Sequence, residues 1–226
     1  MEDSTVSCKN LPLYPQDVRL ANGMMINDVP IIAGGSKDGP RKISEVYKLD
    51  HLGNSWVLLG NMAEKRSQFA VAELNGGVWA MGGFNSELWN FESSTEIIYS
   101  NGTILDGPDL PAKARHCAVT LPNGKVVIMG GRTSKHGSAS KDVLIYDPST
   151  STYISGPDML YGHENFACVH FYSDKHEGRP VILSAGDQWR SKAEIYDYEN
   201  GIWEPSKLFL SQLRYRWDLI RVGTKE

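Results

Sequence analysis

The chain has 226 residues, which is enough to bury a sizeable core in one large domain or two small ones. Hydrophobic residues make up 41% and charged residues 22%, a composition that excludes a disordered chain. The net charge of −4 argues against a nucleic-acid binder, because such proteins usually carry a basic excess. No apolar run approaches the roughly 18 residues that span a bilayer, so we expect no membrane segment.

The N-terminus and the cysteines suggest a compartment. Residues 1–5 are acidic and polar, and they lack the apolar segment of a signal peptide. Cys8, Cys117 and Cys168 are an odd number of cysteines and do not form a disulfide framework. A reducing compartment is the simpler interpretation, so we expect a cytoplasmic protein. We expect Cys117 and Cys168 to be buried as small apolar residues, although the nearby Arg115 and His116 could lower the pKa of the Cys117 thiol and make it redox-sensitive.

Apolar segments that end in small residues recur every 48 to 55 residues, at 29–35, 78–83, 126–131 and 181–186. Glycine accepts a positive φ without steric cost, so these endings predict sharp turns after a strand. In the fourth copy, Ala185 replaces the first glycine. The glycines of the repeat are Gly34, Gly35, Gly82, Gly83, Gly130, Gly131 and Gly186.

Aromatic residues share this period. A tyrosine ends a short apolar strand in each copy, at Tyr47, Tyr99, Tyr146 and Tyr196. A second aromatic residue follows in three copies, at Trp56, Tyr153 and Trp203, whereas the second copy has Ile104. Each period contains about four strand-sized segments, and no long stretch has helical periodicity. A unit of about 48 residues with four short strands has the size of one propeller blade.

With these motifs the sequence resembles the kelch-repeat family over roughly residues 15–220. The resemblance implies an all-β fold, a kelch-type β-propeller of about four four-stranded blades. The tyrosines and tryptophans would pack between the blades. The expected organisation is an N-terminal tail at 1–14, blades at about 15–62, 63–110, 111–159 and 160–210, and a partial fifth strand at 213–220.

Three arrangements fit four blades and a partial strand. The blades could close into a small ring, they could form an open arc of a larger propeller, or the chain could be a truncated product. We favour the open or incompletely closed form. Such a partial ring would expose apolar blade faces, which promotes self-association or pairing with another chain.

Basic residues precede the innermost strands and are predicted to surround one mouth of the central channel. In kelch-type substrate adaptors, matching arginines bind acidic peptide segments, as the resemblance implies, and a guanidinium group suits a carboxylate. The alternative is that these side chains stabilise loops by bonding backbone carbonyls. The candidates are Arg66, Arg115, His163 and Arg214.

The residue after each double glycine lies in a loop near the same mouth. The adaptors often carry a partner-contacting aromatic residue there, and only Phe84 retains one. Phe84 and the nearby Trp89 are therefore candidate partner contacts, unless they fold over their own blade. Arg132 holds the corresponding place in the third copy and is a further candidate.

Glutamates and histidines offer no clear site. Glu45, Glu96 and Glu194 recur shortly before the tyrosines, and recurrence favours a structural role because a catalytic site breaks the symmetry of a repeat. None of the six histidines pairs with a cysteine or glutamate at the spacing of a metal site. We predict no metal and no cofactor.

The sequence favours a non-enzymatic protein–protein interaction module that binds a short acidic segment at the channel mouth. The resemblance adds substrate recognition for a ubiquitin ligase, or actin binding, as specific roles. Only about fifteen residues precede the first repeat, so we expect another component to bridge to a ligase. Two alternatives remain. One is an incomplete propeller that pairs with a longer kelch protein, and the other is a kelch-like enzyme, either a copper radical oxidase or a sugar-acid isomerase.

Overall fold

The computed structural model describes residues 11–37, 41–85, 90–186 and 192–206. Within these ranges the chain forms four antiparallel sheets of four strands each, a two-stranded hairpin and one 3-10 turn at Asp174–His176. No α-helix occurs in the described residues. We call the four sheets blades 1 to 4 in chain order. The predicted partial fifth strand at 213–220 lies outside the described residues.

Each blade is a meander whose neighbouring strands follow one another in the chain. Blade 1 contains β1 (Asn22–Ile26), β2 (Val29–Ala33), β3 (Glu45–Leu49) and β4 (Trp56–Asn61). Blade 2 contains β5 (Ala70–Leu74), β6 (Gly77–Met81), β9 (Thr95–Ile98) and β10 (Ile104–Asp106). Its inserted hairpin consists of β7 (Phe84–Asn85) and β8 (Asn90–Phe91).

Blades 3 and 4 repeat the same order without an inserted hairpin. Blade 3 contains β11 (Cys117–Thr120), β12 (Val126–Met129), β13 (Val143–Asp147) and β14 (Thr152–Ser155). Blade 4 contains β15 (Ala167–Ser173), β16 (Arg179–Ala185), β17 (Ala193–Asp197) and β18 (Ile202–Pro205). The extra length of the fourth period lies in the longer strands β15 and β16 and in the turn between them.

Apolar cores lie between successive blades, because a four-stranded sheet cannot cover its own faces. Every residue of β6 and β12, in the two middle blades, is buried, whereas β2 and β16 in the end blades are only partly buried. The described residues therefore form a series of four blades with three shared cores, and no fourth core joins blade 4 to blade 1 among them. The cores include Ile31 with Val78, Trp79 with Tyr146, and Met129 with Tyr196.

The paired glycines lie where one blade meets the segment that leads into the next. Gly82 and Gly130 have φ values of 59° and 62°. A Cβ on Gly82 would lie 2.5 Å from the carbonyl oxygen of Lys113, and one on Gly130 would lie 2.8 Å from that of His163. Gly83 donates its N–H to the same Lys113 carbonyl at 2.9 Å. Glycine is thus required by a close backbone approach as well as by a positive φ.

In blade 4 the pairing of the first two strands corrects the position at which the sequence repeat was aligned. Ala185 pairs with Ala167, as Met129 pairs with Cys117 in blade 3. Gly186, with a φ of 77°, therefore takes the place of the first glycine. The expectation that Ala185 replaces a glycine is wrong, because Ala185 is the last residue of the strand. The place of the second glycine falls on residue 187, outside the described residues.

The aromatic repeat is structural in blades 3 and 4. Tyr146 lies opposite Tyr153, and Tyr196 lies opposite Trp203. The rings of Tyr196 and Trp203 stack with centroids 4.8 Å apart in the core between blades 3 and 4. Trp203 also donates its Nε1–H to the carbonyl oxygen of Pro157 at 3.0 Å, which ties the outer strand to the connector before it. These contacts agree with packing between blades.

Tyr47 and Tyr99 do not occupy the same place. In blade 1, Leu49 rather than Tyr47 lies opposite Trp56 of β4. In blade 2, Ile98 lies opposite the first residue of β10, one residue before Tyr99. Tyr47 instead packs edge-on against Tyr14, with ring centroids 5.4 Å apart. The tyrosine spacing therefore does not identify the residue that pairs with the outer strand in blades 1 and 2.

Replacing Gly82 with alanine is expected to lower the free energy of unfolding by about 3 kcal/mol or more, because the new Cβ meets the Lys113 carbonyl in addition to the strain of a positive φ. Gly124→Ala is the matched control. Gly124 also has a positive φ, but nothing lies within 4 Å of an added Cβ, so we expect a loss of about 1 kcal/mol. Urea unfolding measures both variants, and equal losses would contradict the close-approach role.

Candidate functional site

The first strands of the four blades surround a central cavity of about 310 Å³. Its wall includes Leu20, Gln68, Arg115 and Asn165, each two residues before the first strand of its blade. All four have a positive φ, at 63°, 57°, 62° and 51°. The sequence repeat does not reveal these residues, because their side chains differ from blade to blade. We call them the left-handed residues.

A series of backbone hydrogen bonds joins the left-handed residues across the blade interfaces. Gln68 donates its N–H to the carbonyl of Leu20 at 3.3 Å, and Arg115 donates to Gln68 at 2.7 Å. Asn165 continues the series by donating to the carbonyl of Arg115 at 3.0 Å. One such bond lies at each of the three interfaces. The series pairs backbone groups that burial would otherwise leave unsatisfied, and it directs variable side chains toward the cavity.

Arg115, which lines the cavity, shares one carboxylate with a second arginine, Arg132. Arg115 donates from Nη1 to Glu164 Oε2 at 2.8 Å and from Nε to Gln68 Oε1 at 2.6 Å. Arg132 donates from Nη2 to the other carboxylate oxygen of Glu164. The Glu164 side chain is only 3% exposed, whereas the side chains of Arg115 and Arg132 are 26% and 22% exposed. We call Arg115, Arg132 and Glu164 the arginine cluster, and its formal charge is positive.

The arginine cluster breaks the repeat. Glu164 directly precedes a left-handed residue, and the residues in the same place of the other blades carry no carboxylate. Arg132 forms a backbone β-bridge with Ala114, the residue before Arg115. In blades 1 and 2 the residue at the position of Arg132 is a serine and a phenylalanine. Sequence analysis missed Glu164, although it directly follows the candidate His163. The equivalents of Glu164 are Arg19, Ser67 and Ala114, and those of Arg132 are Ser36 and Phe84.

Arg66 and His163 do not face the channel mouth, which corrects the sequence prediction. Both residues are buried with 0% exposure, and each lies two residues before a left-handed residue. Their equivalent in blade 3 is Lys113, which is 1% exposed, rather than Arg115. The sequence alignment was out of register by two residues, since it matched basic residues by type. Only Arg115 of the three candidates reaches the cavity wall.

The buried basic residues stabilise the turns of their own blades. Arg66 donates from Nη1 to the carbonyl oxygen of Gly82 at 2.8 Å and pairs with Glu96 at 2.7 Å. Lys113 donates from Nζ to the carbonyl oxygen of Gly130 at 3.3 Å. Burial lowers the pKa of Lys113, and the charge of an acidic neighbour opposes that shift. These contacts match the alternative role predicted for the basic residues, the bonding of backbone carbonyls.

The recurring glutamates join blades to connectors. Glu96 accepts hydrogen bonds from two N–H groups of the connector between blades 1 and 2, and Glu194 accepts one from the connector between blades 3 and 4. Glu194 also lies 2.9 Å from Nε2 of His163, with both side chains fully buried. Glu45 instead accepts a hydrogen bond from Gln16 at 3.2 Å. The contacts are those of structural residues.

Of the remaining candidates, the structure describes only Phe84. Phe84 packs edge-on against Phe91 with centroids 5.9 Å apart, and Lys42 Nζ lies 5.5 Å from the centre of its ring. Phe84 therefore folds over its own hairpin and remains partly exposed. Trp89 and Arg214 lie outside the described residues, and their roles stay sequence predictions.

Cys117 and Cys168 form a disulfide, with a Cα–Cα distance of 6.1 Å. The bond joins β11 to β15 across the interface of blades 3 and 4, at the cavity wall. This corrects the expectation of two separate thiols, and the cysteine count no longer favours a reducing compartment. Cys117 begins its strand, whereas Cys168 is the second residue of β15, so their side chains point to opposite faces of their sheets and meet between them.

His116 is a buried titratable group beside the cavity. It is 6% exposed, and neither ring nitrogen has a hydrogen-bond partner in the described residues. Burial, with a smaller contribution from the charge of Lys113, holds the pKa of His116 well below its ordinary value of 6.5. His116 is therefore neutral at pH 7.

The described ranges lack two features of other protein classes. No group of three or more His, Cys, Asp or Glu residues in the described part of the chain could hold a metal ion. The described ranges also contain no helix that is long and apolar enough to cross a membrane.

The fold defines the class of protein. Four consecutive four-stranded meanders, packed face to face around a cavity, form a β-propeller architecture. A solved structure described as "Structure of YjhT" matches with a TM-score of 0.71 at 19% identity. The match covers 89% of this chain and 68% of that chain. The predicted all-β propeller fold is confirmed.

The sequence comparisons identify the repeats. Residues 113–160 match the family model of the Kelch motif, and this match supports the resemblance to the kelch-repeat family that the sequence predicted. Kelch-like protein 35 of Mus musculus is 24% identical over 62% of this chain and 31% of its own length. Kelch-like protein 15 of Danio rerio is 30% identical over 61% of this chain and 22% of its own length. The chain thus spans less than a third of these relatives.

Stability should fall as the pH drops below about 6.5, because unfolded His116 then binds a proton that the folded protein excludes. The His116 contribution is present above this pH and decreases by up to about 1.4 kcal/mol per pH unit below it. Urea unfolding at pH 7, 6 and 5 measures the slope. His116→Leu should flatten it, whereas replacing the exposed His51 with glutamine should not. An unchanged slope in His116→Leu would contradict this role.

Loss of the disulfide is expected to lower the free energy of unfolding by about 3–4 kcal/mol, because the bond joins residues separated by 51 positions. Cys117→Ala should unfold at the same urea concentration with or without dithiothreitol, whereas the native chain should lose stability on reduction. Thiol titration of the denatured, unreduced chain should detect one thiol, that of Cys8. Three reactive thiols would show that the bond is absent.

Proposed function

We propose that this chain is a non-enzymatic interaction module that binds a short acidic segment of a partner protein at its arginine cluster. The observation that carries the proposal is a pair of partly exposed arginines that share Glu164, of which Arg115 lines the central cavity. Structural residues recur from blade to blade in this chain, and this pair does not. A residue pair that departs from the repeat is free to serve recognition.

The chemistry of the pair suits carboxylates. Arg115 uses Nε and Nη1 for Gln68 and Glu164, and its Nη2 donates no hydrogen bond within the described residues. A guanidinium group with remaining donors binds carboxylates through charge-assisted hydrogen bonds. The resemblance to kelch-type adaptors, whose arginines bind acidic segments, supports this ligand class.

Within longer kelch proteins, such a module would recognise a substrate for a ubiquitin ligase. We favour this role over actin binding. A cavity of about 310 Å³ that is lined by Arg115 suits a few side chains of an extended segment better than the broad surface of a folded protein.

Fluorescence anisotropy with a fluorescein-labelled octaglutamate peptide tests the proposal. Arg115→Ala and Arg132→Ala should each weaken binding about tenfold, because each removes one charge-assisted contact. Arg179→Ala is the matched control, since the Arg179 side chain is 28% exposed and also paired with a carboxylate, but it belongs to blade 4 away from the cluster. Octalysine should not bind. Equal weakening by the control, or no octaglutamate binding, would overturn the proposal.

A further inference from the structure

Glu164 already occupies the arginine pair in the absence of a partner. Each of its carboxylate oxygens accepts a hydrogen bond from a different arginine, and its side chain is almost fully buried. The two arginines come from blade 3, whereas Glu164 precedes the first strand of blade 4. A carboxylate of the chain itself therefore lies where a carboxylate ligand would bind.

The backbone does not require a carboxylate at this place. Ser67 and Ala114 occupy it in blades 2 and 3, and both are fully buried. Ala114 exchanges two backbone hydrogen bonds with Arg132, and Ser67 does the same with Phe84, without any charged side chain at 67 or 114. A small neutral residue is therefore compatible with this turn. The carboxylate of Glu164 acts on the arginines rather than on the fold of the turn.

Resting on the proposed function, we propose that Glu164 is an internal competitor that limits the affinity of the arginine pair for acidic segments. A partner carboxylate must either displace Glu164 or bind the donors that it leaves free. In both cases Glu164 repels the incoming negative charge within a poorly solvated site, where screening by salt is weak. Removing this charge while keeping the shape of the side chain strengthens binding.

The test compares Glu164→Gln with Glu73→Gln. Glu73 is exposed on β5 of blade 2, away from the cluster, so the control makes the same change in net charge. Glu164→Gln is expected to bind fluorescein-labelled octaglutamate about five- to tenfold more tightly than the native chain. Glu73→Gln should remain within about twofold of the native chain, because exposed charges are screened.

A second measurement tests whether Glu164 shields the two arginines when no peptide is present. Phenylglyoxal modifies accessible arginines, and peptide mapping by mass spectrometry reports the rate at Arg115 and Arg132 separately. Both rates should rise in Glu164→Gln relative to the exposed Arg19 of the same chain. The gain in octaglutamate affinity should disappear in the double variant Arg115→Ala/Glu164→Gln.

The outcomes separate the two proposals. Glu164→Gln could bind octaglutamate no more tightly than the native chain, while native binding still depends on Arg115. This result would overturn the proposal that Glu164 is a competitor and leave the proposed function intact. If Glu164→Gln shows faster arginine modification but no variant binds octaglutamate, the proposal of an acidic ligand is overturned. The conclusion that Glu164 occupies the arginine pair then stands. Loss of cooperative thermal unfolding in Glu164→Gln would overturn the competitor, because Glu164 would then be an essential structural contact between blades.

Discussion

The close backbone approach between successive blades is the constraint on which the rest of this structure depends. In blades 1, 2 and 3, the turn after the second strand contacts a carbonyl oxygen of the segment that leads into the next blade. In blade 2, a Cβ at Gly82 would lie 2.5 Å from the carbonyl oxygen of Lys113. Because the gap is so small, the turn needs glycine, and the next N–H can donate to the same carbonyl. The lead-in segment is thereby held at a fixed distance from the blade before it.

The fixed lead-in segment determines where side chains meet the channel. Two residues after the contacted carbonyl, the chain enters a left-handed conformation, and its backbone bonds to the equivalent residue of the preceding blade. These backbone contacts are the same at all three interfaces, so they place few demands on the side chain. Leu20, Gln68, Arg115 and Asn165 can differ for this reason, and a charged cluster can form at one interface without disturbing the others.

The arginine cluster and the disulfide both lie at the interface of blades 3 and 4. The cluster joins Arg115 and Arg132 to Glu164, and the disulfide joins the first strands of the same two blades close by. This interface therefore carries charged and covalent contacts in addition to its apolar core. The proposed recognition site therefore lies on a part of the propeller that several kinds of contact hold in place, which would keep its geometry fixed.

Residue types at a regular spacing predicted the blades well, because the glycine turns, the apolar strands and the outer aromatic residues reflect local backbone needs. The same reasoning failed where a shift of one or two residues matters. Arg66 and Arg115 look alike in the sequence, yet Arg66 is buried against a turn and Arg115 lines the cavity. Tyr99 keeps the spacing of the tyrosines, yet Ile98 holds the buried place, because strand pairing decides which side chain faces the core.

The sequence by itself determined the repeat, the all-β class and the resemblance to kelch repeats, since these depend on hydrophobic periodicity and on turn residues that act locally. Only the tertiary structure decided the members of the site. The pairing of Cys117 with Cys168 and the meeting of Arg115, Arg132 and Glu164 depend on how two blades face each other. Residues from separate blades come together through the register of strands and the angle between sheets, which no local pattern of residues encodes.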